Sequence, residues 1–317
     1  MQSHNIDHSN VVLKTDLPIE KNGSVASVKR GKVRDIYDLG DCLLIVATDR
    51  ISAFDVILPD GIPGKGYVLT QFSLFWFRWL DHQNDKTVHH LITGDFNAFP
   101  EPLHRYRETL EGRSMLVKKV EPLPVESIVR GYLSGSGWKE YRHSGTICGQ
   151  RLSEGLLDSS RLPEPIFTPS TKGEIGEHDI NITFDEMKKR VGYFSEEVRE
   201  RSLLIYKQAA AFAEERGIII ADTKMEFGVD PQTNRLLLID ELLTPDSSRF
   251  WPKNDYQPGK SQISFDKQYV RDYLLSINWN GSTLPPPSLP QSVIQQTSQK
   301  YFEALERLTE VGNGEGG

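Results

Sequence analysis

The chain is short of cysteine: Cys42 and Cys148 stand alone among 317 residues. Two are too few for a disulfide framework or a cysteine-rich zinc site. Long apolar runs are missing too, and nothing approaches the roughly 18 residues of a membrane span. The opening MQSHNIDHSN has neither the basic start nor the apolar stretch of a signal peptide, so a cytoplasmic location is expected. Positive charge is in deficit, with 37 Lys and Arg against 44 Asp and Glu and a net charge of −7. That balance argues against nucleic-acid and membrane-surface partners and leaves room for a local basic cleft. A Walker A loop is absent. Gly61–Gly66 (GIPGKG) resembles one only superficially, because Pro59 holds the first-glycine position and Gly66 follows the lysine where Ser or Thr belongs. No GxGxxG follows a strand, which disfavours a Rossmann site. HRD-type and DFG segments are lacking, which disfavours a kinase.

What is present fits a globular chain with a real core: 38% hydrophobic and 26% charged residues. The first part reads as β-rich. Val25–Lys29 and Val33–Tyr37 flank Gly31 as a hairpin, and Leu43–Thr48 (LLIVAT) suits a buried strand. Asp55–Leu58 is a short extended piece stopped by Pro59-Asp60-Gly61. Thr70 or its neighbours start a buried helix in Leu69–Leu80, and Ser114–Val120 is a further strand. The Pro-punctuated Glu121–Val125 (EPLPV) reads as a linker between two lobes. Beyond it, Ser195 is the expected cap of a helix over Glu196–Arg216 that carries acids in its first turn. Val198, Ile205, Ala209 and Phe212 form its apolar stripe. Ile294, Thr297, Tyr301, Leu305 and Leu308 trace one face of a last helix. The tail Gly312–Gly317 is expected to be disordered.

Several segments carry chemistry. Ala221–Val229 and Arg235–Leu242 flank a turn at Asp230–Asn234. A hairpin centred on Thr233 sets Glu226 opposite Asp240, with Lys224 on the same face as Glu226. Two carboxylates so placed either hold a cation such as Mg²⁺ or form a solvated face with a Glu–Lys pair. Lys29–Arg34 puts four cations and one glycine into six positions. It is either an anion-covering loop or a basic hairpin turn. Arg130 followed by Gly131, Ser134, Gly135 and Ser136, and the turn Thr244–Arg249, offer a second anion site. Asp49–Asp55 follows a buried strand, a frequent place for site residues. The long irregular loop Phe167–Asp179 includes His178, which fits a base, a ligand or a turn residue.

In this order, GKVRDIYD (31–38), ATDRISAFD (47–55), VRGYLSGSGWKEY (129–141), PIFTPSTKGEIGEHD (165–179), IIIADTKMEFG (218–228) and IDELLTPDSSRFW (239–251) closely resemble the phosphoribosylaminoimidazole-succinocarboxamide synthase (SAICAR synthetase) family. The resemblance runs from about residue 28 to 275. It implies a two-lobed α+β fold. An N-terminal antiparallel-sheet nucleotide lobe of ATP-grasp or kinase-like shape would span 1–120, and a mixed α/β lobe 121–317. It also implies an ATP-dependent ligase that joins the carboxylate of carboxyaminoimidazole ribonucleotide (CAIR) to the amine of L-aspartate, yielding ADP and phosphate, as a monomer or small homo-oligomer. On matching positions, Gly31, Lys32 and Arg34 would cover the ATP phosphates and Glu126 would lie beside adenine. Glu226 and Asp240 would hold Mg²⁺. Arg130, Ser136 and Arg249 would bind the phosphate and carboxylate region of CAIR. Asp49, Ser52 and Asp55 would line its pocket, and Lys172, His178 and Asp179 would lie where aspartate binds. A kinase on a related fold and a non-catalytic nucleotide sensor are the competing readings. The first lacks its catalytic loop, and an intact Glu226/Asp240 pair argues against the second.

Overall fold

A computed structural model describes residues 10–21, 24–83, 88–173 and 179–309. His178 and the tail Gly312–Gly317 lie outside the described residues. The fold is α+β. The elements that frame the site are β1 (Val28–Arg30), β2 (Arg34–Asp38), β3 (Cys42–Ala47), β4 (Arg50–Ala53), β5 (Val56–Gly61), α1 (Lys65–His82), β6 (Leu91–Thr93) and β7 (Ser114–Lys118). The chain continues through β8 (Glu121–Pro122), β9 (Val125–Tyr132), α2 (Gly135–Ser144), β10 (Arg161–Phe167), β11 (Ser170–Thr171), α3 (Phe184–Val191) and α4 (Ser195–Glu215). It ends in β12 (Ile218–Val229), β13 (Leu236–Ile239), β14 (Ser248–Pro252), α5 (Gln268–Ser276) and α6 (Gln291–Thr309).

Two antiparallel sheets dominate. The first has the order β1-β2-β3-β7-β6. The second follows β8-β12-β9-β10, with β13 and β14 also pairing β12 and β11 pairing β9. The aliphatic run of β3 forms the middle of the first sheet, with Leu44 opposite Leu116 and Ile45 opposite both Ile36 and Met115. Helix α1 joins the sheets. Phe72, Trp76 and Phe77 are fully buried in a core that holds Ile45, Met115 and Val117 together with Val129, Ile220, Phe227 and Leu238. Removing that much aromatic and aliphatic surface from water is the main force holding the halves together. On α4, Val198, Ile205 and Ala209 are buried, and Phe212 packs edge-on against Trp76 at 5.5 Å. The five expected positions of α6 are all buried. Among the described residues no helix is long and apolar enough to cross a membrane.

Several sequence expectations change. Glu121–Val125 is no free linker. Glu121 and Pro122 pair with Val229 and Gly228 in the second sheet, and the missing N–H of Pro122 is tolerated on a short strand at the sheet's end. The same allowance lets Pro59 lie inside β5, which runs on to Gly61 rather than stopping before it. Helix α1 starts at Lys65, a turn before Thr70. Gly64 at φ 75° makes the start, and Asp49 from the β3–β4 turn accepts the Gly66 N–H (2.8 Å). Ser195 does not cap α4. Its hydroxyl donates to the Gly192 carbonyl (2.7 Å), and Phe194 occupies the cap position.

Candidate active site

The 12-residue β12 organises the site, because its alternation sends Asp222, Lys224 and Glu226 to one face. Two cavities open along that face. The first, of about 340 Å³, lies under the first sheet and is floored by the β12–β13 hairpin. The second, of about 390 Å³, runs along β12 towards α5. Lys32, Glu126, Asp179 and Lys224 line both, so the cavities share a wall of charged groups.

The first cavity has an apolar end and a charged end. Ile36, Leu43, Ile45, Val120, Pro122 and Ile239 form a slot with the chemistry of a base pocket. Gly31, Lys32 and Arg34 line it from the β1–β2 turn. A side chain at Gly31 would meet only the Arg34 carbonyl, at 3.6 Å, so the glycine leaves room for a ligand rather than for packing. At the charged end Arg34 pairs with Asp240 and approaches Glu241 (3.5 Å), while Lys172 pairs with Glu226.

The hairpin register is one residue from that expected. Val229 pairs with Leu236 and Glu226 with Ile239, so Glu226 and Asp240 are not direct cross-strand neighbours. Both line the first cavity close enough to repel each other, and Asp240 leaves the strand at φ 68°, a left-handed conformation that Asp tolerates. Burial, with the like charges of Glu226 and Glu241, pushes the Asp240 carboxyl up to about 6 against the pull of Arg34. Burial would raise Glu226 as well, but Lys172, Lys224 and Arg34 together hold it below its ordinary value. Among the described residues no cluster of three or more acidic, His or Cys groups gathers to cage an ion. Two converging carboxylates are the donor set that suits Mg²⁺ completed by phosphate oxygens and water, so Glu226 and Asp240 fit that ion.

The second cavity centres on two guanidiniums. Arg130 is buried, and its guanidinium donates to Asp222 (2.9 Å), Thr168 (3.0 Å) and Ser136 (3.0 Å). Arg249 reaches the same Asp222 oxygen. The two guanidiniums thus share one carboxylate, in a cavity lined by as many acidic as basic side chains. Gly135 makes room for Arg249. With φ at 55°, an added Cβ there would fall 2.2 Å from an Arg249 nitrogen. Gly135→Ala is therefore expected to push Arg249 off Asp222 and raise the KM of the anionic substrate about tenfold or more, and the left-handed backbone imposed on Ala costs about 1–2 kcal/mol of stability as well. Steady-state kinetics beside a thermal melt read both.

Ser52 and Asp55 line the same cavity. Phe54 (φ 52°) and Asp55 (φ 63°) form a two-residue turn between β4 and β5, with both residues left-handed as in a type I′ hairpin. That turn brings Asp55 to pair with Lys32. Asp179 lies on the shared wall and accepts the Gly173 N–H (2.9 Å).

One expected residue falls elsewhere, and another stands at the seam of the two cavities. Asp49 is fully buried away from both cavities. Its carboxylate takes the N–H groups of Val12 (2.7 Å) and Gly66 (2.8 Å) and the Arg113 guanidinium (3.0 Å), so it anchors α1. Glu126 sits at the seam between the cavities, paired with Lys224 and accepting from Ser170 (3.3 Å), rather than in the apolar slot. Burial raises its carboxyl despite Lys224.

Sequence reasoning missed Lys267 and Arg271. They stand i, i+4 at the start of α5 and line the second cavity, a spacing that could have flagged them. Burial, with Arg271, Lys65 and Lys224 nearby, lowers Lys267 to about 8 although Asp246 opposes the change. Between about 8 and the ordinary 10.5 the unfolded chain binds more protons than the folded one. Stability therefore rises with pH across that window, and below it the charged ammonium costs stability. Lys267→Met is expected to raise the melting temperature at pH 7, to flatten the rise between pH 8 and 10, and to weaken anion binding. Melts across pH with and without substrate test this.

The SAICAR synthetase family model matches residues 27–285. The chain belongs to the SAICAR synthetase family. The phosphoribosylaminoimidazole-succinocarboxamide synthase of Desulfosudis oleivorans is 59% identical over 300 residues, covering 94% of this chain and 98% of the relative. That of Geobacter sulfurreducens is 56% identical, covering 95% and 99%. A solved SAICAR synthase from Saccharomyces cerevisiae, complexed with SAICAR, superposes with a TM-score of 0.83 at 45% identity, covering 94% of this chain and 98% of that one. As a member of the SAICAR synthetase family the chain is a carbon–nitrogen ligase that joins CAIR and aspartate in purine biosynthesis, with ATP as co-substrate.

Proposed function

We propose that the chain activates the CAIR carboxylate as an acyl phosphate at the wall between the two cavities, in the cytoplasm. The observation that carries this reading is the sharing of Lys32, Glu126, Asp179 and Lys224 by a base-and-phosphate cavity and an anion cavity. A triphosphate anchored in the first would end where an acid held in the second begins. The apolar slot takes adenine. Gly31, Lys32 and Arg34 cover the phosphates. Glu226 and Asp240 would hold Mg²⁺, which would supply neutralising charge for the transferring phosphoryl group. Arg34 and Lys172, now paired with those carboxylates, would then be released to the phosphates. Arg130, Ser136 and Arg249 bind the CAIR phosphate, and Ser52 and Asp55 line its pocket.

The chemistry needs positioning more than covalent help. A carboxylate resists attack because addition would place more charge on an anion. Its oxygen attacks the γ-phosphorus, the β–γ bridge bond breaks and ADP leaves. The aspartate nitrogen then attacks the carbonyl carbon, the C–O bond breaks and phosphate leaves. The amine must shed a proton, and Asp179 is the candidate acceptor, with Lys267 and Arg271 offering cations to the aspartate carboxylates. Asp179→Asn is expected to lower kcat at saturating aspartate about a hundredfold; near-normal turnover would remove Asp179 from this role. CAIR labelled with ¹⁸O in its carboxylate tests the activation step. One ¹⁸O per released phosphate is expected, and unlabelled phosphate would overturn it.

A further inference from the structure

We propose that His90 is a positioning residue for Asp240, setting the left-handed backbone that aims this carboxylate at Glu226. The inference rests on the reading of Asp240 as a metal ligand and adds to it the group that holds the ligand in place.

His90 belongs to the segment between α1 and β6, yet it is bound to the end of β13. Residues 88–90 add to β13 in parallel. Leu238 N–H donates to the Val88 carbonyl (2.9 Å), and His90 N–H donates to the Leu238 carbonyl (3.0 Å). A continuing parallel ladder would next pair Asp240 N–H with the His90 carbonyl, and then offer a main-chain N–H to the Asp240 carbonyl. Neither step follows that course. The His90 carbonyl is taken by the Lys118 N–H (2.7 Å) of β7. The Asp240 carbonyl faces the His90 ring instead, with Nε2 at 3.2 Å. A carbonyl only accepts, so Nε2 carries the proton and the imidazole replaces the missing ladder donor.

The ring is held firmly enough to do this. His90 is buried, and its imidazole packs edge-on against Phe77 of α1 with centroids 5.7 Å apart. At the point where the ladder ends, Asp240 turns to φ 68°, and its side chain lines the first cavity beside Glu226. Without the imidazole donor, the Asp240 carbonyl loses the bond that fixes this turn, and the peptide is free to return to the extended conformation of β13. The carboxylate then departs from Glu226. Because the His90 carbonyl is bonded to β7 of the first sheet while its ring faces the end of β13 in the second, the contact also ties the metal ligand to the nucleotide-covering sheet.

The test compares His90→Phe, which keeps the ring and loses the donor, with His90→Gln, whose amide nitrogen reaches about as far as Nε2. His90→Asn, whose amide stops short of the carbonyl, carries the test if the Phe variant does not fold. Each full-length protein is titrated with Mn²⁺ in the presence of ADP, with bound metal read by electron paramagnetic resonance. CAIR binding is measured separately by calorimetry. The expected result is a metal affinity at least tenfold weaker in the Phe or Asn variant, recovery to within about threefold in the Gln variant, and CAIR affinity within twofold throughout. Unchanged metal affinity in a folded donor-less variant overturns the proposal. So does an equal loss of metal and CAIR binding that Gln does not rescue, since that pattern marks a purely structural residue. Asp240→Asn in the same titration separates the two levels. If it leaves Mn²⁺ affinity intact, the metal-ligand reading fails first; if it weakens Mn²⁺ while His90→Phe does not, only the positioning role fails.

Discussion

Asp240→Asn is expected to lower kcat by about a hundred- to a thousand-fold while the protein stays folded. The magnitude is that of removing one fixed charge aimed at a transferring group in a site that excludes water. The fold survives for three reasons. Asn tolerates the left-handed backbone at φ 68°, which Ala would strain. Arg34 retains Glu241 at 3.5 Å, so no cation is orphaned. The carboxyl lost is one that burial and its acidic neighbours already hold up near 6, so at pH 7 the ionised form costs the unliganded protein stability. The melting temperature of the unliganded variant should therefore match or slightly exceed that of the parent, whereas nucleotide with Mg²⁺ should stabilise the parent alone. A variant that unfolds would make the acidic pair structural.

Arg130→Met is expected to weaken CAIR binding by roughly 2–5 kcal/mol, about thirty- to several-thousand-fold. Arg130 and Arg249 both lean on Asp222, and burial already pulls Arg130 below its ordinary value. With Asp222 shared between them, an anionic group placed against the two guanidiniums would gain charge-assisted hydrogen bonds from both. Methionine fills much of the volume and leaves Asp222 paired with Arg249, so the free protein should lose little stability. The distinguishing readout is ligand-induced stabilisation. CAIR should raise the parent's melting temperature and leave that of Arg130→Met nearly unchanged. Equal stabilisation of both would place the CAIR phosphate elsewhere.

Much of this site was legible from residue order, and the departures have physical causes. The alternation of β12 placed Lys224 and Glu226 on one face correctly, because a strand's period is fixed. The facing of Glu226 and Asp240 was misjudged by one residue, because the hairpin's centre depends on how Asp230–Asn234 closes. There Asp230 N–H bonds the Arg235 carbonyl (2.9 Å), and Asn234 turns left-handed. The two carboxylates still line one cavity, and Asp240 does so from a positive φ that no propensity announces. Asp49 looked like a site residue from its place after a strand. Its three partners, Val12, Gly66 and Arg113, come from distant parts of the chain, so its anchoring role was invisible. The base slot was unreadable for the same reason: its six apolar residues are contributed by β2, β3, β13 and the segment around β8, and each looks like ordinary core. Gly31, Lys32 and Arg34, which line the first cavity, stood out in the sequence because a local cationic excess is conspicuous in an acidic chain.

In the proposed arrangement a triphosphate reaches from the slot under the first sheet to the acid held by Arg130 and Arg249, with its charge met at Glu226 and Asp240. A crystal structure with Mg²⁺, a non-hydrolysable ATP analogue and CAIR measures it directly. The expected result is a cation bonded to oxygens of Glu226, Asp240 and the phosphates, with the γ-phosphate next to the CAIR carboxylate and Lys172 and Arg34 redirected to the triphosphate. Lys172 and Arg34 still paired with those carboxylates, and nucleotide bound with its metal held by other residues, would contradict it.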